Sequence, residues 1–120
     1  MKKQTALIID DDEILREMMC AMLTRMGYTV VVAENGNKAV ETVESWDGDI
    51  DVAIMDLFLP DIRGDKVCPR IIKKYPNVKI IVMSGYSLED TKILNTDVHG
   101  FIQKPCSYDA LSKALEKAFA

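Results

Sequence analysis

Thr5-Ala6-Leu7-Ile8-Ile9-Asp10-Asp11-Asp12-Glu13 opens as a short apolar run and ends in four consecutive acids. The run is hydrophobic on both faces, as a strand buried on both sides must be. From Glu13 to Met26 the period changes. Ile14, Met18, Met22 and Met26 recur at helical spacing, Leu15, Met19 and Leu23 widen the stripe, and Gly27 supplies a stop signal. A buried strand feeding an amphipathic helix through an acidic turn is one β-then-α unit.

Four more units follow. Tyr28 to Ala33 is a β-branched strand, Asn35-Gly36 reads as a turn, and Ala39, Val40, Val43 and Trp46 mark a helix. Asp51 to Asp56 is a third strand and Val67 to Tyr75 a third helix, with Pro69 expected to delay its first turn. Val78 to Met83 is a fourth strand, Leu88 to Leu94 a short helix, and Gly100 to Gln103 a fifth strand. Leu111, Leu115 and Phe119 stripe the last helix. Five such units without sequence repeats imply an α/β fold: a five-stranded parallel sheet, doubly wound by right-handed crossovers. Residues 1–120 read as one domain, with no room for a second.

Composition agrees with that reading. The chain has 120 residues, 48% hydrophobic and 28% charged, enough apolar side chain for one core and too much for a disordered chain. The net charge of −4, without a Lys or Arg block, argues against direct binding of nucleic acid. No apolar run approaches the roughly 20 residues that span a bilayer, and the N-terminus has no signal-peptide pattern. A cytoplasmic domain without membrane insertion is expected. Cys20, Cys68 and Cys106 match no zinc spacing and read as reduced thiols, Cys20 lying in or near the core.

In doubly wound sheets ligands bind beyond the carboxyl ends of the strands. Each polar residue there has an ordinary explanation by itself. An Asp in the acidic run can cap the first helix, Asp56 can cap a turn, Ser84-Gly85 can be a turn, and Lys104 before Pro105 can be a solvated cation. Taken together, strands one, three, four and five deliver carboxylates, a carboxylate, a hydroxyl and an ammonium to one edge. Mg²⁺ prefers hard oxygen ligands and is commonly held by one or two carboxylates. A dication keeps crowded carboxylates ionised, which leaves Asp56 nucleophilic. Phosphoryl transfer to a carboxylate is mostly positioning and charge neutralisation, which Mg²⁺, Lys104 and Ser84 can divide.

This constellation resembles the receiver domain of two-component response regulators along essentially the whole chain. Ile8-Ile9-Asp10-Asp11-Asp12-Glu13 is similar to the family's acidic pocket, and Met55-Asp56-Leu57-Phe58-Leu59-Pro60 to its phosphorylation strand. Met83-Ser84-Gly85 and Gln103-Lys104-Pro105 complete the set. The resemblance implies a flavodoxin-like fold with strand order 2-1-3-4-5. It also implies that Asp56 is phosphoacceptor and metal ligand, Asp11 a direct Mg²⁺ ligand, Asp10 a ligand through water, and the Phe58 backbone carbonyl a third direct ligand. Lys104 would pair with Asp56 and then with the phosphoryl group, the Ser84 hydroxyl would move toward it, and Phe101 would be the aromatic switch. The implied donor is a phosphohistidine on a sensor histidine kinase or a histidine phosphotransfer domain, docked in part by Ile14 and Leu15. Such a domain is a signalling phosphoacceptor rather than an enzyme with turnover.

Some features depart from the family pattern. The 88–98 segment is short for a helix and its loop, and Phe101 lacks a hydroxyl, so any switch there works by packing. Phe58 and Tyr86 are bulky at positions that flank the water path in this family. They are expected to slow hydrolysis of the phosphoaspartate. His99 reads as a surface-loop residue and Trp46 as a packing residue at the end of its helix. An alternative is a phosphorylation-independent interaction module of the same fold. A Mg²⁺-dependent phosphatase with an aspartyl nucleophile is a weaker one, since the second Asp it needs is replaced by Phe58. Flavin binding ranks below both, because no Gly-rich loop follows the first strand. The oligomeric state, the signal and the output are open.

Overall fold

A computed structural model describes residues 3–85 and 98–120 of the chain. Tyr86 and the helix expected over 88–94 lie outside the described residues. The described elements are β1 (Thr5–Ile9), α1 (Glu13–Arg25), β2 (Thr29–Ala33), α2 (Gly36–Ser45), β3 (Val52–Asp56), α3 (Gly64–Lys74), β4 (Lys79–Ser84), β5 (Gly100–Gln103) and α4 (Tyr108–Phe119).

The strands form one parallel sheet in the order β2-β1-β3-β4-β5. Side-chain alternation along each strand divides the interior into two cores. Leu7, Ile9, Ala53, Met55, Ile80 and Val82 face Ala39 and Val43 of α2 and Val67, Cys68 and Ile71 of α3. Their neighbours Ala6, Ile8, Val52, Ile54, Ile81, Met83 and Ile102 face Met19 and Leu23 of α1 and Leu111, Leu115 and Ala118 of α4. Central strands β1 and β3 are buried at every position, whereas edge strand β2 exposes Thr29 and Val32. That contrast explains why the central strands read as continuous apolar runs.

Local chemistry sets the helix ends. Asp12 caps α1, its Oδ1 accepting from the Leu15 amide at 3.1 Å. Gly27, at φ 97°, ends it: the Gly27 amide donates to the Thr24 carbonyl and the Tyr28 amide to the Leu23 carbonyl, the paired bonds of a Schellman motif. Of the α1 stripe, Met19 and Leu23 are buried, Leu15, Met22 and Met26 pack at the core margin, and Ile14 and Met18 are exposed.

Two local expectations need correction. Asn35-Gly36 does not form a separate turn; Asn35 caps α2, its Oδ1 accepting from the Lys38 amide at 2.8 Å, and Gly36 is the first helical residue. Nor does Pro69 delay α3, which begins at Gly64 and carries Pro69 inside it. A first turn uses few intrahelical amides, so Pro69 costs one bond just beyond it, and burial of Val67, Cys68 and Ile71 holds the helix through that loss. Trp46 packs against the α2/α3 core and donates its indole N–H to the Asp49 carbonyl at 3.1 Å. Among the described residues the cysteines form no disulfide; Cys68 and Cys106 are buried and Cys20 is half-buried.

Candidate functional site

Strand order puts β1 between β2 and β3, so the chain leaves β1 toward one side and β3 toward the other. The crevice this opens lies at the carboxyl ends of β1 and β3. Asp10 follows β1, its amide donating to the Ala33 carbonyl of β2 at 3.2 Å. Asp56 is the last residue of β3, paired in register with Met83, and Ser84 pairs with Gln103 one step further along. The Lys104 amide then donates to the Ser84 carbonyl at 2.8 Å, which fixes where the lysine side chain starts. Parallel register therefore brings Asp10, Asp56, Ser84 and Lys104 to one edge.

Asp10 is fully buried, Asp56 is 7% exposed and Ser84 is buried, while Asp11 faces solvent. Carboxylate oxygens of Asp10, Asp11 and Asp56 lie within 4.8 Å of one another. Lys104 Nζ bridges the two buried acids, donating to Asp56 Oδ2 at 2.9 Å and standing 3.0 Å from Asp10 Oδ2. The second contact is an ion pair without hydrogen-bond alignment, so among the described residues Asp10 Oδ2 is a buried oxygen with no aligned donor. Asp10 Oδ1 accepts from the Asp12 amide at 2.8 Å, and Arg16 Nη1 donates to the Asp10 carbonyl at 2.8 Å. The Phe58 amide donates to Asp56 Oδ1 at 3.1 Å, which turns the chain sharply after β3.

These surroundings shift two groups. Burial pushes the Asp10 carboxyl up from its ordinary value; the Asp12 amide and Lys104 oppose this without cancelling it, and Asp56 adds to it. Burial pulls Lys104 down, but its contacts with Asp56 and Asp10 outweigh that and leave its ammonium above the ordinary lysine value. Among the described residues Lys104 touches Asp10 and Asp56, and Asp11 joins them in one carboxylate cluster. A buried oxygen without an aligned donor, in a set made only of hard oxygen atoms, suits a small divalent cation.

Each site residue named from the sequence except Phe101 lies at this edge. Phe101 sits within β5, three residues before Lys104, half-buried, in register with Val82 and packed on the α2/α3 core. The ring of Phe58 is exposed beside Asp56. Sequence reasoning missed three groups. Arg16 was hidden in an ordinary helix pattern, and Asp61 in a loop. His99 is exposed just before β5, as expected of a surface-loop residue, but the bonds it makes there carried no signal: its amide donates to the Ile80 carbonyl at 2.7 Å and its Nδ1 accepts from the Ile80 amide at 3.0 Å. No periodicity marks such groups, because their partners are backbone atoms, which every residue carries alike.

Comparison with known proteins follows the same lines. The family model for the response regulator receiver domain matches residues 6–116. A cyclic di-GMP phosphodiesterase of Thermotoga maritima is 39% identical over 89% of this chain and 28% of its own length. The transcriptional regulatory protein DegU of Brevibacillus brevis is 35% identical over 92% of this chain and 48% of its own. The chain thus spans less than half of either relative. Among solved structures, the response regulator TrrA of Thermotoga maritima, in complex with Mg²⁺ and BeF, is 30% identical with a TM-score of 0.82, covering 96% of this chain and 98% of that one.

Proposed function

The chain belongs to the response regulator receiver domain family, and from that premise we propose that Asp56 accepts a phosphoryl group from a phosphohistidine, with Mg²⁺ held by Asp10, Asp11, Asp56 and the Phe58 backbone carbonyl. The observation that carries the proposal is the Lys104 ammonium set between Asp56 and Asp10, 2.9 and 3.0 Å from their oxygens, with Asp11 in the same cluster of carboxylates.

In the step envisaged, an Asp56 carboxylate oxygen forms a bond to phosphorus while the phosphorus–nitrogen bond to the donor imidazole breaks. The imidazole nitrogen leaves with the bonding pair, and the aspartate becomes an acyl phosphate. When bound by Asp10, Asp11 and Asp56, Mg²⁺ would supply positive charge for the equatorial oxygens. Lys104, already hydrogen-bonded to Asp56, passes from that carboxylate to a phosphoryl oxygen and neutralises it. The Phe58 amide holds Asp56 Oδ1 and so orients the carboxylate. Ser84, at the end of the neighbouring strand, supplies the hydroxyl that reads the product, and Phe101 repacks in response. The donor is a sensor histidine kinase or a histidine phosphotransfer domain, met in the cytoplasm. The fold's own contribution is signalling: phosphorylation switches an interaction surface, and residues 1–120 act as the receiver within that system. Among the described residues no helix is long and apolar enough to cross a membrane.

The test incubates the protein with a small-molecule phosphodonor and Mg²⁺ and reads intact mass. One added phosphoryl group, lost in Asp56→Asn and on removal of Mg²⁺ by chelation, is expected. An unmodified wild type, or an Asp56→Asn variant modified to the same extent, overturns the proposal.

A further inference from the structure

The loop between β3 and α3 carries the Phe58 carbonyl at one end and Asp61 near the other. The Asp61 side chain leaves its own loop: Oδ1 accepts from the Gly36 amide and Oδ2 from the Asn37 amide, both at 2.8 Å, at the start of α2. These are charge-assisted bonds to helix amides that have no partner within the helix. They hold the Asp61 carboxyl below its ordinary value against the opposing effect of burial. The two segments also touch closely. A side chain on Gly36 would place its Cβ 2.8 Å from Ile62 Cβ and 3.1 Å from the Ile62 carbonyl oxygen. On either side of Asp61, Leu59 is buried and Ile62 packs on the α2/α3 core.

We infer that Asp61 is a positioning residue for the metal site: by clasping the β3–α3 loop to the N-terminus of α2, it holds the Phe58 carbonyl at the distance from Asp56 and Asp10 that a divalent cation requires. The inference rests on the function proposed above, in which that carbonyl is a metal ligand. Small octahedral cations tolerate little error in ligand placement, so a loop freed at Asp61 weakens binding although no direct ligand is lost. The nearness of Gly36 to Ile62 acts in the same direction, since it lets the clasp close.

Asp61 is not the only cap on this helix, and that makes the inference separable from simple stability. Asn35 caps the same helix through the Lys38 amide, a bond at the start of α2 that, among the described residues, does not reach the β3–α3 loop. The experiment titrates the 120-residue chain with Mn²⁺, following free ion by electron paramagnetic resonance, with Mg²⁺ competing, well below the unfolding temperature. Asp61→Ala is expected to weaken Mn²⁺ and Mg²⁺ binding about 10-fold, within the usual range for outer-shell partners of a metal site. Asp61→Asn, which keeps one acceptor oxygen, should recover part of that loss. Gly36→Ala, which pushes Ile62 away, should weaken binding in the same sense. Asn35→Ala should lower thermal stability and leave the metal dissociation constant within about twofold, because its cap stabilises only the helix. Equal affinities for wild type and Asp61→Ala overturn the inference while leaving the proposed function standing, as does an Asn35→Ala variant that loses as much affinity as Asp61→Ala. A wild type that binds neither ion overturns the function and the inference with it.

Discussion

Replacing Asp10 by Asn should make the metal-free protein more stable, although it removes a buried ion pair. The magnitude follows from the geometry. At an effective dielectric of about 20, Lys104 Nζ at 3.0 Å attracts the Asp10 charge by about 5.5 kcal/mol. Carboxylate oxygens of Asp56 and Asp11 within 4.8 Å repel it by about 3.5 kcal/mol each, somewhat less for exposed Asp11. Attraction and repulsion nearly cancel, and the cost of burying a charge then decides the sign. Asn keeps an oxygen for the Asp12 amide and sheds the charge. A gain of about 1 to 2 kcal/mol is expected, or about 4 °C in unfolding temperature per kcal/mol for a chain of this size. The pH dependence has a definite sign. Because the folded protein raises the Asp10 carboxyl above its unfolded value, folding favours the protonated acid. That contribution is full below the unfolded value and is lost as pH rises through the folded one. The Asp10→Asn advantage should therefore be present at neutral pH and shrink as acid protonates Asp10. Scanning calorimetry in chelator, from pH 3 to 8, measures it. Added Mg²⁺ should reverse the order, since at a hundred times its dissociation constant a ligand stabilises the wild type by about 2.7 kcal/mol. An Asp10→Asn protein that melts below wild type at pH 7 without metal would refute the reasoning.

Other perturbations give equally definite outcomes. Phe58→Ala, which removes an exposed ring beside Asp56, should shorten the phosphoaspartate lifetime, followed as loss of phosphoryl mass after the donor is removed. His99→Ala leaves the Ile80 amide without its Nδ1 partner and should cost about 1 kcal/mol in urea unfolding, with an unchanged m-value. Gly27→Ala meets nothing within 4 Å, so its cost comes only from the backbone at φ +97°; about 1 kcal/mol is expected by thermal melting. The clasp at Asp61, whose carboxyl is lowered, should stabilise the protein above about pH 4 and fade below it, so Asp61→Asn should flatten that part of the acid unfolding curve.

Much of this protein was legible in its sequence because the relevant signals are local. The continuous apolar runs of β1, β3 and β4 announce strands buried on both faces, and the stripe containing Met19 and Leu23 announces a helix against them. Asp10, Asp56, Ser84 and Lys104 were identifiable because a parallel sheet sends the end of every strand to one edge, so that position in a strand predicts position in the site. The helix boundaries were less legible. The sequence rule for Pro69 was overridden by burial of Val67 and Ile71, and Gly36 after Asn35 resembles a turn until the clasp with Asp61 is seen.

What tertiary structure alone decided is how the charges share the site and what holds the loops. Four acids in a row look equivalent in sequence, yet Asp12 caps α1, Asp11 faces water and Asp10 is buried beside Lys104. Those roles depend on burial and on the direction of each Cα–Cβ bond where strand turns into helix, quantities that arise only when β1 lies between β2 and β3. The partners of Arg16, Asp61 and His99 are backbone atoms, which carry no residue identity and leave no trace in composition. Side-chain pattern determined the fold and which residues meet at the sheet edge; packing determined which carboxylate is buried and which loop is clasped, because desolvation and hydrogen-bond geometry act at distances of a few ångströms between segments far apart in the chain.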